Sequence, residues 1–283
     1  MSRLSSLCVT VGLLGAATAL WPASAQETPP APSLSLRNFP TYWLQDRTAQ
    51  DDFLPPPSGP GPVASPPGHP YIPNGAGKQQ TNRLADLTNP ILKPWVVEQM
   101  QKTNDAVNEG KVPFIARERC WSTGVPGWLV FAHAAGMWVV QSEKEILFIQ
   151  ELDQQVRHIY MNVPHTDHPK PSWYGESVGH FEGGELVVDT IGMNDKSFVD
   201  NYRTPHTDQI HVVERFKLVD DGKALQVTAT VDDPGAYNMA WSAVQRWKRG
   251  PDRNILEQIC AENSDAFFEY DVVPIPRADK PDF

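Results

Sequence analysis

Histidines and carboxylates crowd one part of this chain. The string PHTDH carries His165, Asp167 and His168, and the string PHTDQIH carries His206, Asp208 and His211. Glu176, His180 and Asp189 lie between them, and Glu214 follows in HVVERFKL. A carboxylate beside an imidazole fixes its tautomer and raises its basicity, which suits general acid–base work. A carboxylate buried without a partner becomes an acid of raised pKa. If the two PHTD loops meet, their imidazoles and carboxylates would surround a metal ion, although the spacing follows no standard zinc signature. Each group also has a plainer role. Loop histidines are often only solvated, His180 and Asp189 could tie a hairpin together, and Glu214 could form an ion pair with Arg157, His158 or Arg246.

The elements that would position these groups read as strands. Gly183-Gly184 separates two short runs and supplies the positive φ angles of a two-residue turn. That register sets Phe181 opposite Leu186 and Gly179 opposite Val188 on one face. The other face carries Glu182 opposite Glu185, His180 opposite Val187 and Val178 opposite Asp189. His180 and Asp189 become diagonal neighbours, roughly 7–8 Å apart at the backbone. In HVVERFKL, Val212, Glu214, Phe216 and Leu218 share one face, so Glu214 interrupts an apolar row and Arg215 points the other way. Asp221-Gly222 turns the chain into Ala224–Val231, and Trp241–Lys248 follows the turn DDPG.

Around this block the chain changes character. Residues 1–25 read as a signal peptide, with Arg3, the apolar run VTVGLLGAATALW and the cleavage site Ala23-Ser24-Ala25. The apolar run is short for a membrane span, and no later stretch qualifies. A periplasmic or secreted protein is expected, leaving Cys120 and Cys260 to pair in an oxidising compartment. Residues 26–83 form a Pro/Gly-rich extended lead-in that cannot pack a core alone, though NFPTYWL could dock onto the body. Residues 84–283 should hold one helix plus a β-barrel domain. Pro94 suits the first turn of the helix and Gly110 its stop. From GWLVFA through GMWVVQ, EILFIQEL and VRHIYMN to Ile259, about nine or ten short strands are expected. Their serial hairpins favour a mainly β fold, an antiparallel meander closed into a lipocalin-like barrel that can hold one small ligand.

Net charge is −10 and no basic cluster occurs, so nucleic acid is not an expected partner. No G-x-S-x-G elbow, phosphate loop or dinucleotide fingerprint is present, and no cofactor is expected. Composition sets no oligomeric state. Several of the nine tryptophans, among them Trp121, Trp128, Trp138, Trp173, Trp241 and Trp247, flank strand ends and could line an aromatic cavity or fill a core.

From about Asn89 onward the chain resembles a large family of uncharacterised secreted bacterial proteins. The resemblance is carried by TNPILKPW, RCWSTGVP, VRHIYMN, PSWYGESVGHFEGGELVVDTIG, DNYRTPHTDQIHVVERFKL, VDDPGAYNMAW and ICAEN. Gly184 departs from it, the family more often having Asp there. The resemblance implies export but no reaction or ligand.

Together these features suggest a pocket that gathers His180, Asp189, His206, His211 and Glu214 as acid–base groups, with Tyr160 and Trp173 as apolar walls. The first reading is an exported barrel binding a small hydrophobic or aromatic molecule, without settling whether any reaction is catalysed. The alternatives are a cofactor-free acid–base enzyme (hydrolase, lyase or isomerase) and a metal-binding protein using the two PHTD loops.

Overall fold

The protein, seen in a computed structural model, is described over residues 41–45, 52–69, 83–111, 114, 120–130, 136–151, 155–251, 254–255, 257 and 259. Nine strands close into a barrel in chain order: β1 (Tyr42–Gln45), β2 (Gly136–Gln141), β3 (Glu145–Gln150), β4 (Val156–Met161), β5 (Glu176–Glu182), β6 (Glu185–Ile191), β7 (His211–Val219), β8 (Ala224–Asp232) and β9 (Trp241–Arg249). β1 pairs with both β2 and β9, so every described strand has two neighbours and no edge is left open. The barrel is mainly β, as the alternating pattern implied.

The expected β5–β6 register holds, with Phe181 opposite Leu186, His180 opposite Val187 and Val178 opposite Asp189. Gly183 and Gly184 both take positive φ, 57° and 83°, which is what the two-residue turn needs. Side chains alternate across the wall. On β7, Val212, Glu214, Phe216 and Leu218 are buried inside, and His211, Val213, Arg215 and Lys217 are more exposed.

Three features differ from the expected meander. First, β4 and β5 run parallel, whereas the other strand pairs are antiparallel. Parallel neighbours need a connection that returns the chain to the starting end; here residues 162–175 supply it, and the hairpin series is broken. Second, the described part of GWLVFA is no strand. Gly127–Leu129 form a short 3-10 turn that is buried completely or nearly so. Buried carbonyls need donors, and the side-chain amides of Gln150 and Gln45 donate to Trp128 O (2.7 Å) and Leu129 O (3.2 Å). Third, β1 comes from the Pro/Gly-rich segment, so residues 84–283 do not make the wall alone. The YWL of NFPTYWL docks as a strand.

The interior centres on Trp128. Its ring stacks on Phe148 at 5.3 Å and lies 6.4 Å from Phe216 and 6.3 Å from Trp247. The helix α1 (Pro94–Asn108) begins with Pro94 and buries Val96, Met100 and Asn104 at four-residue spacing. Asn104 brackets the backbone of Ala85, accepting its N–H and donating to its carbonyl, each at 2.9 Å. Among the described residues no helix is long and apolar enough to cross a membrane.

Candidate functional site

On the outer face of the wall, β5, β6 and β7 present Glu176, Asp189 and His211. The 162–175 crossover lays His165 over them. His165 Nδ1 is 3.0 Å from Glu176 Oε1 and its Nε2 is 3.0 Å from Asp189 Oδ1. His211 Nε2 meets the same Asp189 oxygen at 2.8 Å. Thr166 adds its N–H to Glu176 Oε1 (2.7 Å) and its hydroxyl to Oε2 (3.0 Å). The result is a chain of carboxylate and imidazole, each partly open to solvent.

The electrostatics follow from these bonds. The His211 hydrogen bond holds the Asp189 carboxyl below its ordinary value, against burial and helped by His165. The same bond raises His211 against burial, with the charges of Asp189 and Asp232 adding to it. At Glu176 burial works upward, but the Thr166 N–H, the His165 ring and the Thr166 hydroxyl outweigh it and leave the pKa lowered.

Beside Glu176 the same crossover opens a cleft of about 380 Å³. Its walls include Val156, His158 and Tyr160, the outward residues of β4, together with Gln155, Trp173 and Tyr174. Trp173 is braced by Trp121 at 5.5 Å, which in turn meets Phe114 at 5.5 Å. Tyr174 donates its hydroxyl to Gln155 Oε1. His158 Nδ1 lies 2.6 Å from Glu145 Oε1, a hydrogen-bonded imidazole at the cleft wall. Tyr160 is 46 % exposed, which leaves much of its ring open to a ligand.

The residues expected to share one pocket therefore occupy separate places. Asp189 and His211 meet outside, and Tyr160 and Trp173 wall the cleft nearby. Glu214 lies inside the barrel, fully buried, where Arg157 Nη2 donates to it at 2.5 Å and Trp128 Nε1 at 2.9 Å. Arg157 also bonds the hydroxyls of Ser177 (3.2 and 3.1 Å) and Thr190 (2.9 Å), and its guanidinium sits 5.3 Å from the Trp128 ring centroid. Glu214 is a scaffold anion with the Arg157 partner that its position in an apolar row required. His211 and Glu214 stand three positions apart, an odd step that puts them on opposite faces, and the unbroken register of β7 has no bulge to bring those faces together.

His206 is also elsewhere. It is 3 % exposed, with Nε2 2.9 Å from Ser197 Oγ and Nδ1 3.0 Å from Thr207 O, and burial pushes its pKa down. Such a neutral ring holds its loop together. His180 stands exposed on the outer face, and Asp189, its diagonal neighbour, is taken by His165 and His211 instead. The two PHTD strings do converge, but only through His165 and His211 on one oxygen. Among the described residues no group of three or more His, Cys, Asp or Glu is arranged to hold a metal ion. Of the expected disulfide, Cys120 is described and Cys260 lies outside the described residues, as does the signal segment 1–25.

What the residue pattern missed was the pairing of His165 with Glu176; Tyr160 and Trp173 were expected as walls, but of one pocket shared with the acid–base groups rather than of a separate cleft. The outward period-two row Val156, His158, Tyr160 was a usable signal for the cleft. Nothing local marks the crossover that completes it. No protein-family model matches this chain, and no curated protein matches it.

Proposed function

We propose that this is an exported barrel protein that binds a small planar aromatic molecule in the outer-face cleft beside β4. One observation carries the reading. The aromatic rings of Trp173, Tyr174 and Tyr160 converge with His158 around a space of about 380 Å³, within the usual size of small-ligand sites. Interior volume is a poorer candidate, because Trp128, Phe148, Phe216 and Trp247 fill it with their own rings. Stacking on Trp and Tyr faces supplies the affinity. Gln155, Ser122 and Ser172 are the polar groups that orient a substituent. Export with cleavage after Ala25, a Cys120–Cys260 disulfide and membership of the secreted family carrying the WYGESVGHFEGxxLVVDTIG…PHTDxxHVVERF…VDDPGAY signature belong to the same proposal.

The test uses N-phenyl-1-naphthylamine, an uncharged aromatic probe whose fluorescence rises on binding. Trp173→Ala and Tyr160→Ala should each weaken its binding about tenfold, the loss expected for one aromatic wall. A dissociation constant unchanged in both variants overturns the reading.

A second reading, acid–base catalysis, has one specific support. Asp189 fixes His211 through Nε2 and leaves Nδ1 without a hydrogen-bond partner among the described residues, on a side chain 43 % exposed. Hydrolysis of p-nitrophenyl acetate faster than in a His211→Ala variant would favour it. Equal rates would end it.

A further inference from the structure

A parallel step obliges residues 162–175 to run back along the outside of the barrel. Near the end of this run Trp173 rests on Trp121 and Tyr174 on Gln155. At the start, Asn162 donates its N–H to Gly179 O at 2.8 Å. At the end, the Ser172 N–H bonds Gly192 O at 3.1 Å and the Asn194 N–H bonds Ser172 O at 2.8 Å. Pro169 packs over Gly192, where an added Cβ would come within 2.9 Å of its ring. Between these points the side-chain attachments are those of His165 and Thr166 to Glu176 and Asp189.

His165 faces a carboxylate oxygen at each ring nitrogen. A neutral imidazole carries one N–H, so only the imidazolium donates to both. Removing its proton turns one hydrogen bond into a lone pair facing an anion. The one N–H left on His165 can then serve Glu176 or Asp189 but not both, while His211 can still donate from Nε2 to Asp189.

We propose that His165, Glu176, Asp189 and His211 form a proton-operated latch that holds the 162–175 crossover against the barrel and so keeps Trp173 and Tyr174 in place as cleft walls. The latch stands on its own contacts; its consequence for binding rests on the aromatic-cleft reading above.

The surrounding charges favour the closed form below the imidazole range. Asp232 on β8 lies opposite His211 and adds negative charge beside it. His180 on β5 and Asp167 and His168 on the crossover are exposed neighbours. On β4, His158 is engaged with Glu145. On β7, Arg215 is turned to Glu182 and Glu185. Glu176 and Asp189 stay ionised below their ordinary values of 4.5 and 3.8, and His211 keeps its proton above 6.5. A raised imidazole stabilises the closed form fully below its ordinary value and loses that contribution as pH rises through the raised one. The latch is therefore closed in mildly acidic solution and loosens in alkaline solution.

Amide hydrogen exchange on the full chain reads this without a ligand. At about pH 6 the hydrogen-bonded amides of Thr166 and Ser172 should be protected, and at about pH 8.5 their protection, corrected for intrinsic exchange, should fall about tenfold, the change that roughly 1.4 kcal/mol produces. His165→Gln and Asp189→Asn should show the weaker protection at both pH values, and His180→Gln should behave as the unaltered chain. Equal protection at the two pH values in the unaltered chain, or a His165→Gln variant indistinguishable from it, overturns the latch. Affinity for N-phenyl-1-naphthylamine should fall by the same factor in the unaltered chain and stay flat in His165→Gln. Exchange that responds to pH while the probe never binds would uphold the latch and reject the cleft reading. Binding with flat exchange would do the opposite.

Discussion

Breaking the Arg157–Glu214 pair should destabilise the fold far more than removing both partners. Arg157 and Glu214 side chains are 2 % and 0 % exposed, so neither charge can turn to water. Arg157→Met leaves Glu214 with the Trp128 N–H as its remaining described donor. Glu214→Gln keeps an acceptor for that N–H but turns an amide donor on the Arg157 guanidinium. An uncompensated buried charge costs about 3–5 kcal/mol. For a protein of this size that lowers the Tm by about 6–20 °C. The double variant Arg157→Met/Glu214→Leu removes both charges and leaves the Ser177 and Thr190 hydroxyls bonded to each other at 2.9 Å. It should be more stable than either single variant, with a coupling energy of about 2 kcal/mol or more. Guanidinium chloride unfolding followed by circular dichroism measures all four proteins, an unchanged m-value confirming comparable transitions. Single variants costing under about 1 kcal/mol, or a double variant costing their sum, would refute the argument. Probe binding by the folded fraction should be retained in Glu214→Gln, which separates scaffold from site.

Three further outcomes are expected. Burial raises the Asp52 carboxyl to about 7 from 3.8, over the opposing effects of Arg83 at 3.9 Å and the Tyr202 hydroxyl at 2.6 Å. An acid raised on folding binds its proton more tightly in the native state, so stability should fall between about pH 4 and 7, by at most about 4 kcal/mol, and level off above. Asp52→Asn should flatten that decline in melting temperature, and parallel curves would contradict it. Gly192→Ala, at φ +70° with Pro169 2.9 Å away, should loosen the crossover and reduce probe affinity several-fold. Unchanged affinity would show that this contact is dispensable. Export predicts a mature chain starting at Gln26 with Cys120 and Cys260 linked in non-reducing peptide maps. An intact Met1 in a secreting host, or two alkylatable thiols, would count against it.

The barrel was legible because its signals are local. Alternation set the faces of β5 to β8, Gly183-Gly184 set a register, and an acidic residue in an apolar row announced the need for a partner such as Arg157. The site was less legible because it depends on one non-local event. Both PHTD strings were visible, but nothing in them told that the first would be carried over β5 and β6 by a parallel step. Without that step, His180 was the natural partner for Asp189, and Glu176 and His165 had no reason to meet. Gly127–Leu129 was misleading for a related reason. An apolar run buried on all sides reads alike as a central strand or as a plug inside a barrel.

The two polar networks share one stretch of wall. β5 sends Glu176 outward and Ser177 inward, and β6 does the same with Asp189 and Thr190. β7 sends out His211 and, three residues on, sends in Glu214. Arg157 ties Ser177, Thr190 and Glu214 together from inside, and His165 ties Glu176 and Asp189 from outside. The inner network thus fixes the spacing of the three strands on which the outer one depends. Outer bonds of 2.8–3.0 Å leave little slack for strands that shift. An Arg157→Met variant that still folds should therefore show weaker protection of the crossover amides even in mildly acidic solution. Full protection there would mean that the wall holds its own spacing and that the inner network serves stability alone.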